Sequence, residues 1–293
     1  MSDPLLQRLC IIGVGLIGGS LARALRQAGA VGEIVGCGRN REQLQKACEL
    51  GVIDRFETDA ATAVKGADVV VLAVPLGSMR RIMERIAPVM DENCILTDVG
   101  SVKGSVVADA AAVFKTPPAN FVPAHPIAGT EQSGVEASFA ELFRQRRVIL
   151  TPCQTTAPEA VARIRSMWEA CGAEVVEMEV MHHDEVLAAT SHLPHMLAYA
   201  LVDTLARMDD SKEIFDYAAG GFRDFTRIAS SDPDMWHDIC LANHDALVKM
   251  LEAFSDDLRQ LADAVKRADS DFLKQTFIRA KQARDAFCHK NGG

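Results

Sequence analysis

Residues 8–29 read RLCIIGVGLIGGSLARALRQAG. Four apolar residues, Leu9 to Ile12, run into a glycine-rich turn and then into a stretch with apolar side chains at helical spacing, so strand, turn and helix follow without a loop between them. Gly13, Gly15 and Gly18 fall on GxGxxG spacing. Glycine at the first position permits the tight turn, at the second lets the backbone approach a pyrophosphate, and at the third allows close packing of helix on strand. The first amides of the helix then face phosphate oxygens. These glycines, with Leu16 and Ile17 between them, form a candidate dinucleotide cradle. A glycine turn without a ligand is the plain alternative, and the flanking strand and helix argue against it.

Outward from this segment the same rhythm repeats. LCII, LARALRQA, EIVGC, QLQKACEL, VVVLAV, MRRIMERIAPVM and CILTDV alternate short apolar runs with amphipathic stretches, the pattern of a parallel sheet covered by helices. After a loop-rich stretch at 115–146, VILTP reads as a strand, PEAVARIRSMWEAC as a helix and AEVVEM as a closing strand. Beyond residue 180 the strand signals stop, and EVLAATSHLPHMLAYALVDTLARM and HDALVKMLEAFSDDLRQLADAVKRA carry helical periodicity. The expected fold is therefore α/β: a Rossmann-type doubly wound sheet over residues 1–179, followed by an all-helical substrate and dimerisation domain over 180–293. Asp232 before Pro233 predicts a capped helix start. The wide apolar faces of the helical part predict a homodimer, with a self-contained monomeric bundle as the alternative.

Composition narrows the function classes. A formal charge of −9 argues against a nucleic-acid partner, which requires a basic surface. No apolar run approaches the roughly 18 residues of a membrane helix, and the first residues lack the features of a secretory signal. The eight cysteines show no CxxC pair and no framework spacing, which points to a reducing, cytoplasmic setting.

The end of the second strand bears on the choice of dinucleotide. An acidic side chain there holds the free ribose hydroxyls of NAD. The stretch Gly36-Cys37-Gly38-Arg39-Asn40 carries no carboxylate, and Arg39 followed by Arg41 fits a 2′-phosphate, which guanidinium grips through paired hydrogen bonds. NADP is the expected cofactor, with NAD or dual use as the alternative. Val74 and Pro75, at the end of the VVVLAV strand, are assigned to the same cofactor site.

Several segments then concern the chemistry. ILTDVGSVKG ends a strand at Asp98 and puts Ser101 at a helix start on the carboxyl edge of the sheet, where open α/β sheets bind ligands. The following loop, FVPAHPIAGTEQSG, offers His125, Thr130 and Glu131. Together with GVGLIGGS, TSHLPH and FRDFTRIASSDPDMW, these segments make the chain resemble the prephenate/arogenate (cyclohexadienyl) dehydrogenases, in order and spacing, from Gly13 to Trp236.

The resemblance implies oxidative decarboxylation of prephenate to 4-hydroxyphenylpyruvate, or of arogenate to tyrosine, with NAD(P)+. Hydride leaves the ring carbon that bears the hydroxyl, and carbon dioxide leaves the opposite position. A neutral imidazole suits removal of the hydroxyl proton, a role given to His125. Ser101, which the resemblance places beside it, would hydrogen-bond the imidazole or the nicotinamide. His192 and His195, three apart in TSHLPH, would face the substrate; a metal site is disfavoured because no third ligand is supplied. Arg227 matches the family's substrate-binding arginine and would grip a carboxylate, with Asp224 and Glu131 as ion-pair partners that orient it. His182 and His183, beside Asp184 and Glu185, read as an ordinary polar helix start, and Trp236 as a packing residue. The rival readings are another NADP-dependent dehydrogenase on the same scaffold and a non-catalytic NADP-binding redox sensor.

Overall fold

The computed structural model describes residues 3–291. The first half alternates strand and helix: β1 (Leu6–Ile12), α1 (Leu16–Gln27), β2 (Val31–Cys37), α2 (Arg41–Glu49), β3 (Arg55–Glu57), α3 (Ala60–Ala63), β4 (Val69–Leu72), α4 (Leu76–Ile86), β5 (Ile95–Asp98), α5 (Lys103–Phe114) and β6 (Phe121–Val122). Six strands form one parallel sheet in the order β3-β2-β1-β4-β5-β6. The order reverses between β1 and β4, which opens a crevice at the carboxyl ends of these two strands.

Alternation along the strands explains why both faces of this sheet are covered. Leu9, Ile11, Val69 and Val71 point into one apolar layer with Leu21 and Leu25 of α1. Cys10, Ile12, Val70 and Leu72 point into the other, against Met79, Met83 and Ile86 of α4. Each fully buried aliphatic side chain contributes about 1.5–3 kcal/mol relative to exposure, so these two layers dominate the stability of the cofactor half.

The region expected to be a loop at 115–146 contains more structure than its sequence indicates. Besides β6 it holds β7 (Ala124–Pro126), and His125 is therefore a strand residue. β7 pairs antiparallel with β8 (Arg147–Leu150), which pairs parallel with β9 (Glu174–Glu177), so the closing strands belong to a second, three-stranded sheet and do not extend the first. α6 (Pro158–Ala170) connects β8 to β9 and buries Trp168 edge-on against Phe143, with ring centroids 5.1 Å apart. Strands of two or three residues lie below what hydrophobic alternation can signal, and the prolines at 123 and 126 read locally as loop.

After β9 the described residues are helical: α7 (Val180–Leu187), a π-helical turn (Ala188–His192), α8 (Leu193–Ala206), α9 (Ser211–Asp216), α10 (Gly220–Thr226), a 3-10 turn (Arg227–Ser230), α11 (Pro233–Ala242), α12 (His244–Lys266) and α13 (Ser270–Asn291). Asp232 caps α11 as expected, accepting hydrogen bonds from the amides of Asp234 and Met235 at 2.8 and 3.1 Å. The chain divides into two compact units after His244. The second unit consists of the rest of α12 and α13, and leaves Leu258, Val265, Phe277, Ile278 and Phe287 exposed.

Candidate active site

The glycine turn sits at the switch point. Gly13 donates its amide to the Cys37 carbonyl at 2.8 Å, while Ala73 donates to the Ile12 carbonyl at 2.8 Å, so the turn is pinned between β2 and the end of β4. Gly13 has φ +103°, and a Cβ there would overlap the Ala73 carbonyl and press on Val74. A Cβ on Gly18 would overlap the Gly13 carbonyl and strike Ile11. Gly15 differs: among the described residues nothing lies within 4 Å of its Cβ position, so its backbone faces open space at the start of α1. No side chain caps that helix start. This cradle fits a pyrophosphate, with two glycines required by packing and one left clear. Leu16 and Ile17 open α1, Val74 stands against Gly13, and Pro75 precedes α4, so these expected cofactor residues converge. Arg39 is exposed beyond β2. Its neighbour Asn40 caps α2 through the Gln43 amide at 3.1 Å, and the guanidinium of Arg41 lies over the Phe56 ring at 5.3 Å.

From the carboxyl end of β5 a polar network runs into the helical region. Asp98 is fully buried and accepts hydrogen bonds from the amides of Gly100 at 2.7 Å and Ala124 at 3.2 Å, and from the ammonium of Lys103. Lys103, also fully buried, donates to the Ala124 carbonyl at 2.7 Å. These bonds fix β7 beside β5 and so place His125, the next residue, at that sheet edge. Burial pulls the Lys103 ammonium down from the usual lysine range, against the opposing pull of Asp98 and Asp184.

His125 is 9% exposed. Its Nδ1 lies 2.9 Å from Nε2 of His183, and Nδ1 of His183 lies 2.8 Å from Oδ1 of Asp184. Asp184 also accepts the amides of Lys103 at 2.8 Å and Gly104 at 2.7 Å, which caps α5 from α7. Burial pushes the Asp184 carboxyl up, but the bonds from His183, Lys103 and Gly104 outweigh it and leave it below the usual range. Burial first, then the charges of His183, Lys103 and His192, hold His125 well below the ordinary histidine range. Its ring is therefore neutral at physiological pH, the form that can accept a proton.

The network continues through Asn243, whose Nδ2 donates to the Asp184 carbonyl at 2.8 Å and lies 3.1 Å from Nδ1 of His192. An amide nitrogen is donor-only, so His192 accepts at Nδ1 and carries its proton on Nε2. That Nε2 is buried and has no partner among the described residues. Burial pushes the ring down to about 4, with Asp184 opposing. His195 stacks on Trp236, with ring centroids 3.7 Å apart at 22°, while His192 meets the same indole edge-on at 6.0 Å. The two histidines thus meet one indole in different orientations. Pro194 lacks an amide to continue the ladder, the chain widens into the π turn, and the two rings flank Trp236 from different directions.

The remaining expected residues occupy a second group. Arg227, at the junction of α10 and the 3-10 turn, forms an ion pair with Glu131. Its side chain is 63% exposed. Asp224, expected as a second partner, forms no ion pair with Arg227 among the described residues. Thr130 is exposed, and its Oγ1 accepts the Gln132 amide at 3.2 Å. Ser101 lies in the bend between β5 and α5, half-buried, and makes no hydrogen bond to His125; that position is taken by His183.

Residues 21–177 match the family described as prephenate dehydrogenase, nucleotide-binding domain, and residues 179–279 match prephenate dehydrogenase, dimerization domain. The chain belongs to the prephenate dehydrogenase family. Among its relatives, a cyclohexadienyl dehydrogenase of Zymomonas mobilis is 39% identical over 280 residues, covering 95% of each chain. A crystal structure of prephenate dehydrogenase from A. aeolicus, in complex with hydroxyphenyl propionate and NAD+, superposes with a TM-score of 0.90 at 39% identity, covering 98% of this chain and 99% of that one. The arogenate dehydrogenase of Synechocystis superposes with a TM-score of 0.80 at 29% identity over 96% of this chain and all of that one.

Within this prephenate dehydrogenase scaffold, His183, Asp184, Lys103 and Asn243 are the participants that sequence reasoning passed over. His183 is fully buried and bonded on both ring nitrogens, which corrects its reading as an ordinary polar helix start. A histidine followed by an aspartate at a helix start carries no local mark of burial. The available signal was indirect: Lys103 stands in the first turn of a helix behind the apolar Val102 and beside the strand-ending Asp98, a poor place for a solvated lysine.

Proposed function

We propose that this chain oxidatively decarboxylates prephenate, arogenate or both in tyrosine biosynthesis, with NADP preferred over NAD. The observation that carries the reading is a buried, neutral imidazole, His125, held at the carboxyl edge of a dinucleotide-type sheet by the Asp98 and Lys103 network. Residues 1–179 hold the dinucleotide in this reading, and 180–293 supply substrate contacts and the dimer interface. The glycine cradle, Val74 and Pro75 would hold the cofactor, and Arg39, which carries no ion pair among the described residues, is available to a 2′-phosphate. A bound oxidised nicotinamide would supply the hydride acceptor.

The chain's own residues do the rest. His125 takes the proton of the ring hydroxyl at Nε2 while Nδ1 stays engaged with His183. Ser101, at the same sheet edge, orients the hydroxyl or the nicotinamide ring. His192 offers its unpartnered Nε2 proton to a substrate oxygen, and His195, braced by Trp236, lines the same region. Arg227 binds a carboxylate. Its present bond to Glu131 is an exposed ion pair of the kind worth about 0–1 kcal/mol, so exchange for a substrate acid costs little. Thr130 and Asp224 complete the substrate side. Loss of carbon dioxide then makes the ring aromatic, which drives the reaction.

A homodimer through the helical domain is supported by the match to the family's dimerization domain and by the exposed apolar residues of α12 and α13. Eight free thiols favour the reducing cytoplasm, and no helix among the described residues is long and apolar enough to cross a membrane.

The deciding experiment is a steady-state assay crossing prephenate and arogenate with NAD and NADP. Turnover of either substrate supports the reading; binding of NADP without turnover of either would favour a redox sensor. In the same assay Arg227→Ala is expected to raise KM for the dianionic substrate by roughly 10–100-fold, the equivalent of a charge-assisted hydrogen-bond pair, with a smaller change in kcat. A variant that loses only thermal stability would make Arg227 structural.

A further inference from the structure

The mechanism above uses the lone pair on Nε2 of His125, but a neutral imidazole has two tautomers and only one of them presents that lone pair. Resting on the base role of His125, we propose that Asp184, acting through His183, is the positioning residue that sets this tautomer and receives the positive charge when His125 takes its proton. The contacts form a directed chain. Asp184 already accepts two backbone amides, from Lys103 and Gly104, and these can only donate, so its carboxylate is held as an acceptor. The third contact, 2.8 Å from Oδ1 to Nδ1 of His183, must then carry its proton on the ring. With Nδ1 of a neutral His183 protonated, its Nε2 is an acceptor, and the 2.9 Å contact requires His125 to donate from Nδ1. The lone pair of His125 is left on Nε2.

The same chain handles the charge. Uptake of the substrate proton at Nε2 makes His125 an imidazolium whose Nδ1 proton already points at the His183 lone pair. That proton can cross to His183, where the cation lies against Asp184, and return when Nε2 gives up its proton to solvent after the product leaves. Lys103, buried beside the same aspartates, disfavours a cation confined to His125, so the exit toward Asp184 carries the load. Ser101 lies two residues before the amide that Asp184 caps, so one carboxylate also fixes the backbone that carries the expected hydroxyl.

The test compares wild type with Asp184→Asn and His183→Gln. In Asp184→Asn the side-chain oxygen can keep the contacts of Oδ1 with the Lys103 amide and Nδ1 of His183, but the charge that holds the His183 proton on Nδ1 is removed, so the preference of His125 for its Nδ1–H tautomer weakens. Nitrogen-15 NMR of the imidazoles at pH 8, without cofactor or substrate and with His125 assigned by its loss in His125→Asn, is expected to show the Nδ1–H tautomer in wild type and a larger Nε2–H fraction in Asp184→Asn. kcat is expected to fall by about 10²-fold or more in both variants, with KM changed less. Should loss of the α5 cap prevent Asp184→Asn from folding, His183→Gln, which leaves that cap in place, supplies the kinetic arm. A wild-type His125 carrying its proton on Nε2, or folded variants with wild-type kcat, would overturn the proposal. Wild type inactive toward both substrates would instead remove the functional reading on which it rests, while the NMR result stands independently.

Discussion

Replacing His125 with asparagine is expected to lower kcat by roughly 10²–10⁴-fold, the usual share of a general base, with a much smaller change in KM. The asparagine side chain can still donate a hydrogen bond toward His183, so the buried site keeps a polar partner and the fold is expected to hold. What disappears is a group able to bind the hydroxyl proton. The pH dependence carries a sign that distinguishes this site from a solvent-exposed histidine. Burial, with His183, Lys103 and His192 facing the ring, holds His125 well below the ordinary value of 6.5. The base form is therefore present above its lowered value, and activity is lost only as pH falls through that value. The acid limb of kcat/KM should lie well below pH 6.5 in wild type. An acid limb centred at 6.5, or unchanged turnover in the variant, would remove His125 from the chemistry.

The second large effect is on stability. Lys103→Met is expected to destabilise the protein by about 3–5 kcal/mol, because it leaves the fully buried Asp98 without its counter-charge. For a compact unit of this size the corresponding fall in Tm is roughly 6–20 °C. The methionine fills the space of the lysine stem, so the cost is electrostatic rather than one of packing. Adding Asp98→Asn removes the uncompensated charge while keeping an acceptor for the Gly100 amide, and the double variant should recover a substantial part of the loss. Calorimetry of the single and double variants checks both statements. A single variant as stable as wild type would mean that the Lys103–Asp98 ion pair contributes no net stability. The loss is also expected to reach the site, since Lys103 ties β7 to β5 through the Ala124 carbonyl.

Stability should also respond to pH through His192. Its folded value, about 4, lies below the unfolded value, so the unfolded chain takes up a proton that the folded chain refuses as pH falls. Its contribution is fully present above pH 6.5 and is lost progressively between about 6.5 and 4.

The legibility of the structure differed from element to element. β1, β2, β4 and β5 were readable because each carries buried apolar residues between amphipathic stretches, so local chemistry and final burial agree, whereas β3, Arg-Phe-Glu, has no apolar run to mark it. The short strands β6 and β7 were not, since two or three residues flanked by prolines become strands only when β5 and β8 offer them partners. The spacing of His192 and His195 did not reveal their ring orientations, because a proline and a π turn interrupt the regular helix there.

The glycine turn was legible from its motif; His125 and Arg227 were named from motif and order along the chain, and their roles belong to the proposal. The contact of Arg227 with Glu131 was among the expected pairings, whereas that with Asp224 was not found among the described residues.

Local sequence was sufficient for the glycine cradle and the alternating architecture, because backbone conformation and apolar periodicity are set by neighbouring residues. The partners of a buried polar side chain are another matter. Asp98 with Lys103, and His125 with His183 and Asp184, join residues up to 58 positions apart. Only the packed chain removes water from these groups, and with water gone a donor is stabilised by an acceptor within the protein, which is what draws these side chains together.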